Sequence, residues 1–381
     1  MDYDVLIVGA GPAGISTALH LAQLAPDLAA RTLVLEKAHH PRPKLCGGGL
    51  VIDAEVILQR LGLDVDEVPH ADAGTAHFDF EARGLDIHVP RTHALRMVRR
   101  DEFDAWLVGK ARARGIAIQE GVTVEGVAPG PEGVTVATDR GEYRARVVVG
   151  ADGSKGVVRR SILPDSAVRT ARLLEVLTPP PTGASAHKPG DAYFEFACVP
   201  GGIAGYTWDF PTQLKGRPMR CWGIYDTNLL AGAERPPLRD ALAEEMARHG
   251  YRLEDYELEG HPIRWFDPFN RFAVPGVLLV GDAAGADALL GEGISIALGY
   301  GALAARAIQS AFARGDFSFR DYRARLRRSA LGRALTARTA LAYLYYHLHW
   351  RRFQRLLWHR LGGLVVALAW LLVINWARRS R

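Results

Sequence analysis

Four apolar residues, Val5-Leu6-Ile7-Val8, run without a polar break into Gly9-Ala10-Gly11-Pro12-Ala13-Gly14, and Ile15, Ala18, Leu19 and Ala22 then recur at helical spacing. An unbroken apolar run is the pattern of a buried parallel strand, and the three-to-four spacing after it is that of a core-facing helix. A second apolar strand, Thr32-Leu33-Val34-Leu35, completes a β-α-β unit and ends in Glu36. The pattern then predicts helices near 53–61 and 104–114, a short hairpin over 78–89, and strands at 116–119, 122–127, 134–138 and 143–149. From about Arg169 to Arg264 it turns β-rich, with strands at 193–199, 203–210 and 219–225 and one helix near 238–249. Val277-Leu278-Leu279-Val280 is again wholly apolar and leads into Gly281-Asp282, with a helix over about 293–314 to follow. The buried-strand pattern is interrupted by the β-rich region rather than followed by it. The expected fold class is therefore α/β: a Rossmann-like domain interleaved with an antiparallel sheet domain, plus a helical C-terminal extension.

The first turn predicts an anion site. Gly9 permits a tight turn, Gly11 admits a pyrophosphate to the backbone, Gly14 lets helix and strand pack closely, and the helix N-terminus offers free N–H groups. Glu36, about twenty residues on, is where a carboxylate can accept a ribose hydroxyl.

Composition narrows the partners. The 381 residues are 48% hydrophobic and 23% charged, with a formal charge of +5, which suits a globular chain with one large core or two domains. The basic residues are six Lys and 41 Arg, and Arg crowds the region after Arg314, where four of the eight tryptophans (Trp350, Trp358, Trp370, Trp376) also fall. That company favours a membrane interface over nucleic acid. Cys46, Cys198 and Cys221 are the only cysteines and show no CxxC spacing, so a reduced, cytoplasmic compartment is expected. Met1-Asp2-Tyr3-Asp4 enters the first strand at once and leaves no room for a secretory signal.

Three stations, Gly9–Gly14 with Glu36, Val149–Gly153, and Val280–Asp282, are spaced as in FAD-dependent oxidoreductases of the hydroxylase-like group, which the chain resembles to about Arg314. Within that group, Pro43-Lys44-Leu45-Cys46-Gly47-Gly48-Gly49 and Gly205-Tyr206-Thr207-Trp208-Asp209-Phe210-Pro211 resemble the geranylgeranyl reductase family, whose members saturate prenyl double bonds from reduced FAD. The resemblance implies that FAD is held by Gly9, Gly11, Ala13, Gly14, Glu36, Lys37, Cys46, Gly47, Gly49, Arg100, Val124, Asp152, Asp282, Gly293 and Ile294. It implies a catalytic set of Cys46, Gly47, Tyr206 and Trp208, and a lipid-lining set of Tyr206, Trp208, Phe210 and Pro211. Alternate aromatics on one strand share a face and supply rigid apolar walls, and successive glycines let backbone approach a flat ring. The expected domains are 1–70, 95–168 and 270–315 for FAD and 71–94 and 169–269 for substrate; 316–381, beyond the resemblance, is expected from its own composition to be a membrane-associating extension.

Plainer readings stand beside these. An aromatic stripe at period two also fits sheet core, and a free cysteine also fits a small core residue. The His39-His40 and His347/His349 pairs lack further ligands at metal spacing, so no metal is expected. Family members often carry proline after the third station and Lys after Phe-Pro, where this chain has Ala288 and Thr212. The substrate expected is a polyprenyl lipid or prenyl-quinone chain. The alternative is a flavin-dependent monooxygenase of a hydrophobic or aromatic small molecule. Halogenation is disfavoured, because Tyr206 and Phe210 replace the outer residues of its Trp-x-Trp-x-Ile-Pro pattern. No second dinucleotide fingerprint is present, which leaves NAD(P)H, ferredoxin or another electron donor open.

Leu361 to Trp376 is nearly uncharged, with Arg378, Arg379 and Arg381 beyond it. As one helix it would span about 24 Å, short of the roughly 30 Å hydrocarbon core. The expectation is a peripheral contact with the inner face of a membrane, with a helix capping the core or a dimer contact as the plainer alternative. On that view a chain ending near Leu335 leaves the membrane and keeps its flavin.

Overall fold

The computed structural model describes residues 2–89, 92–164, 169–181, 187–230, 235–372 and 374–379. Its first layer is a sheet whose central strands are parallel, in the spatial order Ala117–Glu120, Thr32–Glu36, Tyr3–Val8, Gly141–Gly150 and Val277–Leu279. Val5, Leu6, Ile7, Val147, Val148, Val149, Leu278 and Leu279 are fully buried, as strands covered on both faces require. The antiparallel hairpin Val124–Gly130 and Gly133–Thr138 extends from Gly141–Gly150. Helices Pro12–Leu24 and Ile294–Arg314 cross at close range, since a Cβ on Gly301 would lie 2.3 Å from Ser16 Oγ, and that hydroxyl donates to the Leu298 carbonyl (2.7 Å).

The second layer is a seven-stranded sheet in the order Glu259–Arg264, Thr170–Thr178, Arg217–Asp226, Gly205–Leu214, Ala192–Glu195, Thr75–Asp79, Gly84–His88. One face buries Val176, Trp222 and Ile224 under helix Leu238–Arg248. The other carries Phe194, Tyr206, Trp208, Phe210, Cys221 and Tyr225 toward the first layer. A three-stranded sheet, Gly49–Leu50, Leu95–Val98 and His70–Ala73, joins the two layers.

The C-terminal segment folds as the helices Tyr322–Arg328, Ala330–His347, Arg351–Arg360 and Gly362–Leu372, ending in the turn Ala377–Arg379. Here the structure corrects the expectation of a separable extension. Tyr346 donates to the Leu289 carbonyl (2.6 Å), and Trp358 stacks on Phe196 (4.6 Å), so helices of this segment complete the aromatic core. The chain end returns to the first layer: Asp53 accepts from the Asn375 and Ala377 N–H groups (2.8 and 2.7 Å), and Trp376 packs against Gly299. Leu361–Trp376 is accordingly not one helix: the helix Gly362–Leu372 exposes Leu364, Leu368 and Trp370, and Trp376 lies buried in the turns beyond it. Arg381 lies outside the described residues.

Candidate active site

The glycine turn has the geometry its spacing predicts. Gly9 sits at φ +105°, and a Cβ there would meet the Ala151 carbonyl oxygen at 2.5 Å; on Gly14 it would meet the Gly9 oxygen at 2.0 Å. At Gly11 the space is open except for one guanidinium nitrogen of Arg42 at 3.6 Å. Helix Pro12–Leu24 starts here with Pro12 in its first turn, and Ala13 is buried. Glu36 is held at the end of its strand, accepting from Ala10 N–H (2.9 Å) and Ala38 N–H (3.1 Å), while Lys37 is exposed beside it. Val124 opens the hairpin near this end of the sheet and is partly buried against the core.

Arg42 is a residue the sequence reading missed. Its guanidinium lies between Glu36 (3.8 Å) and Asp104 (3.3 Å), and its buried Nε has no hydrogen-bond partner. A cation facing an open glycine at a helix N-terminus fits a diphosphate. The only sequence signal was the Pro41-Arg42-Pro43 loop, which carries no periodicity.

The Cys46 loop is pressed between the layers. A Cβ on Gly47 would touch the Phe210 ring at 3.2 Å and Trp208 Nε1 at 3.4 Å, and one on Gly48 would strike the Val98 carbonyl at 2.0 Å. Gly49 lies against Met97, and Cys46 Sγ accepts from the Gly48 N–H (3.4 Å). Arg100 is buried and forks onto Asp104 (2.8 and 2.9 Å), with the Cys46 thiol also beside its guanidinium. Lys44 Nζ donates to His261 Nε2 (2.6 Å); burial and the lysine's charge push His261 down to about 4, which keeps that imidazole a neutral acceptor. Burial also lowers Lys44, against the pull of nearby Asp282.

Asp282 accepts from Ser154 Oγ (3.3 Å) and stands at the start of helix Ile294–Arg314, with its Oδ1 3.9 Å from where a Gly293 Cβ would be. Gly293 caps that helix, and Ile294 is buried in the core below it. Asp152 accepts from the Val158 N–H (2.9 Å) with one carboxylate oxygen, in the first turn of helix Val157–Ile162, while its other oxygen, Oδ1, is buried without a hydrogen-bond partner. On the aromatic strand, Tyr206, Trp208 and Phe210 share one face, whereas the unbroken register puts Pro211 on the opposite face. The Tyr206 hydroxyl donates to the Leu290 carbonyl (2.5 Å) and Trp208 Nε1 to Cys221 Sγ (3.5 Å), so both polar handles are engaged within the wall. A cavity of about 840 Å³ opens elsewhere, among Glu195, Glu245, His249 and Phe194 near helix Leu238–Arg248.

Residues 2–205, more than half of the chain, match the family described as FAD binding domain. The chain is 29% identical over 355 residues to digeranylgeranylglycerophospholipid reductase 1 of Methanopyrus kandleri, covering 84% of this chain and 83% of that protein. It is 27% identical over 331 residues to the menaquinone reductase of Mycolicibacterium smegmatis, covering 81% and 76%. The crystal structure of a geranylgeranyl bacteriochlorophyll reductase-like protein from Thermoplasma acidophilum superposes with a TM-score of 0.80 at 21% identity, covering 99% of this chain and 98% of that one, which establishes the shared fold.

Proposed function

Because the chain belongs to the FAD binding domain family and is an FAD-dependent oxidoreductase of geranylgeranyl reductase-like type, we propose that it saturates C=C bonds of a polyprenyl lipid or prenyl-quinone chain. The observation that carries this reading is the contact of the Cys46-Gly47 loop with the Trp208 and Phe210 rings. It sets a backbone able to face a flat cofactor against an apolar wall able to face a hydrocarbon chain. FAD, when bound and reduced, supplies hydride. The chain's own residues would do the rest: Arg42 and the turn at Gly11 would hold the diphosphate, the helix beginning at Ile294 would offer its N-terminus to the flavin, and the aromatic wall would exclude water and position the alkene. Cys46, the thiol within the loop, is the group placed to give the proton.

The test is to reduce the flavin-loaded protein anaerobically and supply a geranylgeranyl phospholipid or menaquinone. Products should gain two hydrogens per double bond by mass. Loss of flavin colour with no product, or gain of one oxygen when air is admitted, would overturn the reading, the latter in favour of a monooxygenase.

The surface supports a membrane as the place where that lipid is met. No helix among the described residues is long and apolar enough to cross a bilayer. Leu356, Leu361, Leu364, Leu368 and Trp370 are nonetheless exposed on the last two helices, and Leu357 and Val365 of the same helices pack on the aromatic core. After Asp321 the sequence contains no acid and 13 arginines. Exposed apolar side chains with the exposed Arg351, Arg352, Arg355 and Arg360 on the first of these helices fit an anionic bilayer interface, each arginine near the surface adding on the order of 1 kcal/mol. Leu364→Ser/Leu368→Ser/Trp370→Ser should lose flotation with anionic liposomes while keeping FAD; undiminished flotation would refute the surface.

A further inference from the structure

The face of the seven-stranded sheet that meets the Cys46 loop is apolar over its central strands, with one carboxylate set into it. Cross-strand pairing aligns Trp208, Gly223, Glu175 and Glu259 in a single row. The neighbouring rows carry Phe210, Cys221 and Leu177 on one side and Tyr206, Tyr225 and Leu173 on the other. Residues paired directly across strands point to the same face, so Glu175 lies on the face of Trp208. Gly223 between them leaves room for the indole, since a Cβ there would sit 2.1 Å from the Trp208 ring. Glu175 is 3% exposed, and its Oε2 has no hydrogen-bond partner among the described residues.

Its surroundings tie it to the site. The nearby Cys221 thiol, Cys46 backbone and Arg99 favour its charged form, and Glu259 disfavours it. Cys221 Sγ is in turn the acceptor of the Trp208 N–H. Also on this side are Lys44 with neutral His261, the latter on the strand of Glu259, and Arg99 with Asp101 (3.7 Å). Burial outweighs these contacts and pushes the Glu175 carboxyl up to about 7.

Saturating one double bond takes a hydride on one carbon and a proton on the other. Resting on the reductase reading above, we propose that Glu175 stores that proton, as a positioning residue that acts through Cys46. The Cys46 S–H bond breaks as the C–H bond forms on the carbon left electron-rich by hydride addition. The resulting thiolate takes the proton of the Glu175 carboxyl, and water recharges the carboxylate before the next turnover. The two electrons of the hydride come from reduced FAD, which ends oxidised, so charge and mass balance.

The experiment compares wild type, Glu175→Gln and Glu175→Asp, each loaded with FAD, reduced with dithionite and given geranylgeranyl phospholipid vesicles across the neutral pH range. Wild-type kcat should fall as pH rises through about 7, where the store empties. In Glu175→Gln that fall should vanish and kcat should drop about 10²-fold with KM and FAD content unchanged. Glu175→Asp should keep a pH-dependent limb. A second readout needs no turnover. The folded chain holds this proton more tightly than the unfolded one, so wild-type stability should decline between the ordinary glutamate value and about 7, and Glu175→Gln should remove that decline. A Gln variant with the wild-type rate and pH profile would overturn the proposal and leave the reductase reading standing. A wild type that reduces no double bond at any pH would overturn both.

Discussion

The two large sheets carry their chemistry in opposite places. In the parallel sheet the interior is aliphatic, from Val5–Ile7 through Val147–Val149 to Val277–Leu279, and the candidate groups sit at the strand ends: Gly9 after the first strand, Glu36 ending the second, Asp282 after the last. In the antiparallel sheet the strand ends carry little, and the candidate groups lie on a face, where Tyr206, Trp208, Phe210, Cys221 and Glu175 share neighbouring rows. The cofactor and the proposed substrate would explain the difference. A dinucleotide has to be met by backbone N–H groups and charges, which strands and helices leave unsatisfied only at their ends. A hydrocarbon chain has to be met by side-chain surface, which a sheet offers only on its faces. The reverse face of the same sheet, with Val176, Trp222 and Ile224 under a helix, shows what such a surface is when it serves as core alone.

The comparison breaks most severely at the strand end. Gly14→Val would thrust a side chain into the Gly9 carbonyl, which already lies 2.0 Å from the first added carbon. Backbone has to move, so destabilisation of about 4 kcal/mol or more is expected, with colourless protein. Purified Gly14→Val that is yellow and melts within a few degrees of wild type would show that the turn is not the cofactor's seat.

The C-terminal segment tests whether the two sheets stand without their shared covering. Ending the chain after Leu372 removes Trp376 and the two N–H groups that Asp53 accepts. The loss of a buried tryptophan alone costs about 3–5 kcal/mol, and the Asp53 carboxylate is left without those donors. Such a protein should melt well below wild type and hold FAD weakly; unchanged melting would mean that the segment is dispensable. This region also shows where sequence stops being legible. The glycine turn is readable because each glycine answers a demand made by residues next to it. Asp53 and Ala377 are 324 residues apart, and Trp with Arg in a short apolar stretch has the same composition whether it lies on a bilayer or closes a core. Pairing over such a distance is set by tertiary packing, which no local period records. The same limit hid the bond from the Val158 N–H to Asp152 and the burial of Glu175, whose only signal was one acid inside Leu173-Leu174-Glu175-Val176-Leu177.

Arg42→Ala should separate holding the cofactor from holding the fold. Asp104 keeps its two bonds to Arg100 when Arg42 is removed, so the melting temperature should change little. A charge-assisted hydrogen bond to a diphosphate is worth about 1.5–3 kcal/mol, so FAD should bind roughly tenfold to a hundredfold more weakly in equilibrium titration. Unaltered FAD affinity would assign Arg42 to the Asp104 cluster alone.

The smallest effect is expected at Tyr206, where it sharpens the claim that the aromatic face acts as a surface. The Tyr206 hydroxyl is committed to the Leu290 carbonyl, and the same loop is independently held by Tyr225, whose hydroxyl donates to the Asp287 and Ala288 carbonyls. Tyr206→Phe keeps the ring and removes one hydrogen bond, for a stability loss of about 1 kcal/mol. FAD content should be unchanged and kcat for double-bond reduction should stay within a few-fold if, as proposed, the wall contributes shape and dryness and the proton comes by way of Cys46. The measurement is steady-state kcat of the phenylalanine variant beside Cys46→Ser, the latter retaining yellow flavin and losing reduction. If Tyr206→Phe instead lost a hundredfold in kcat while Cys46→Ser kept its rate, the proton would pass through the tyrosine hydroxyl. The aromatic face would then be a source of acid, and Glu175 would have no route to the substrate through the cysteine.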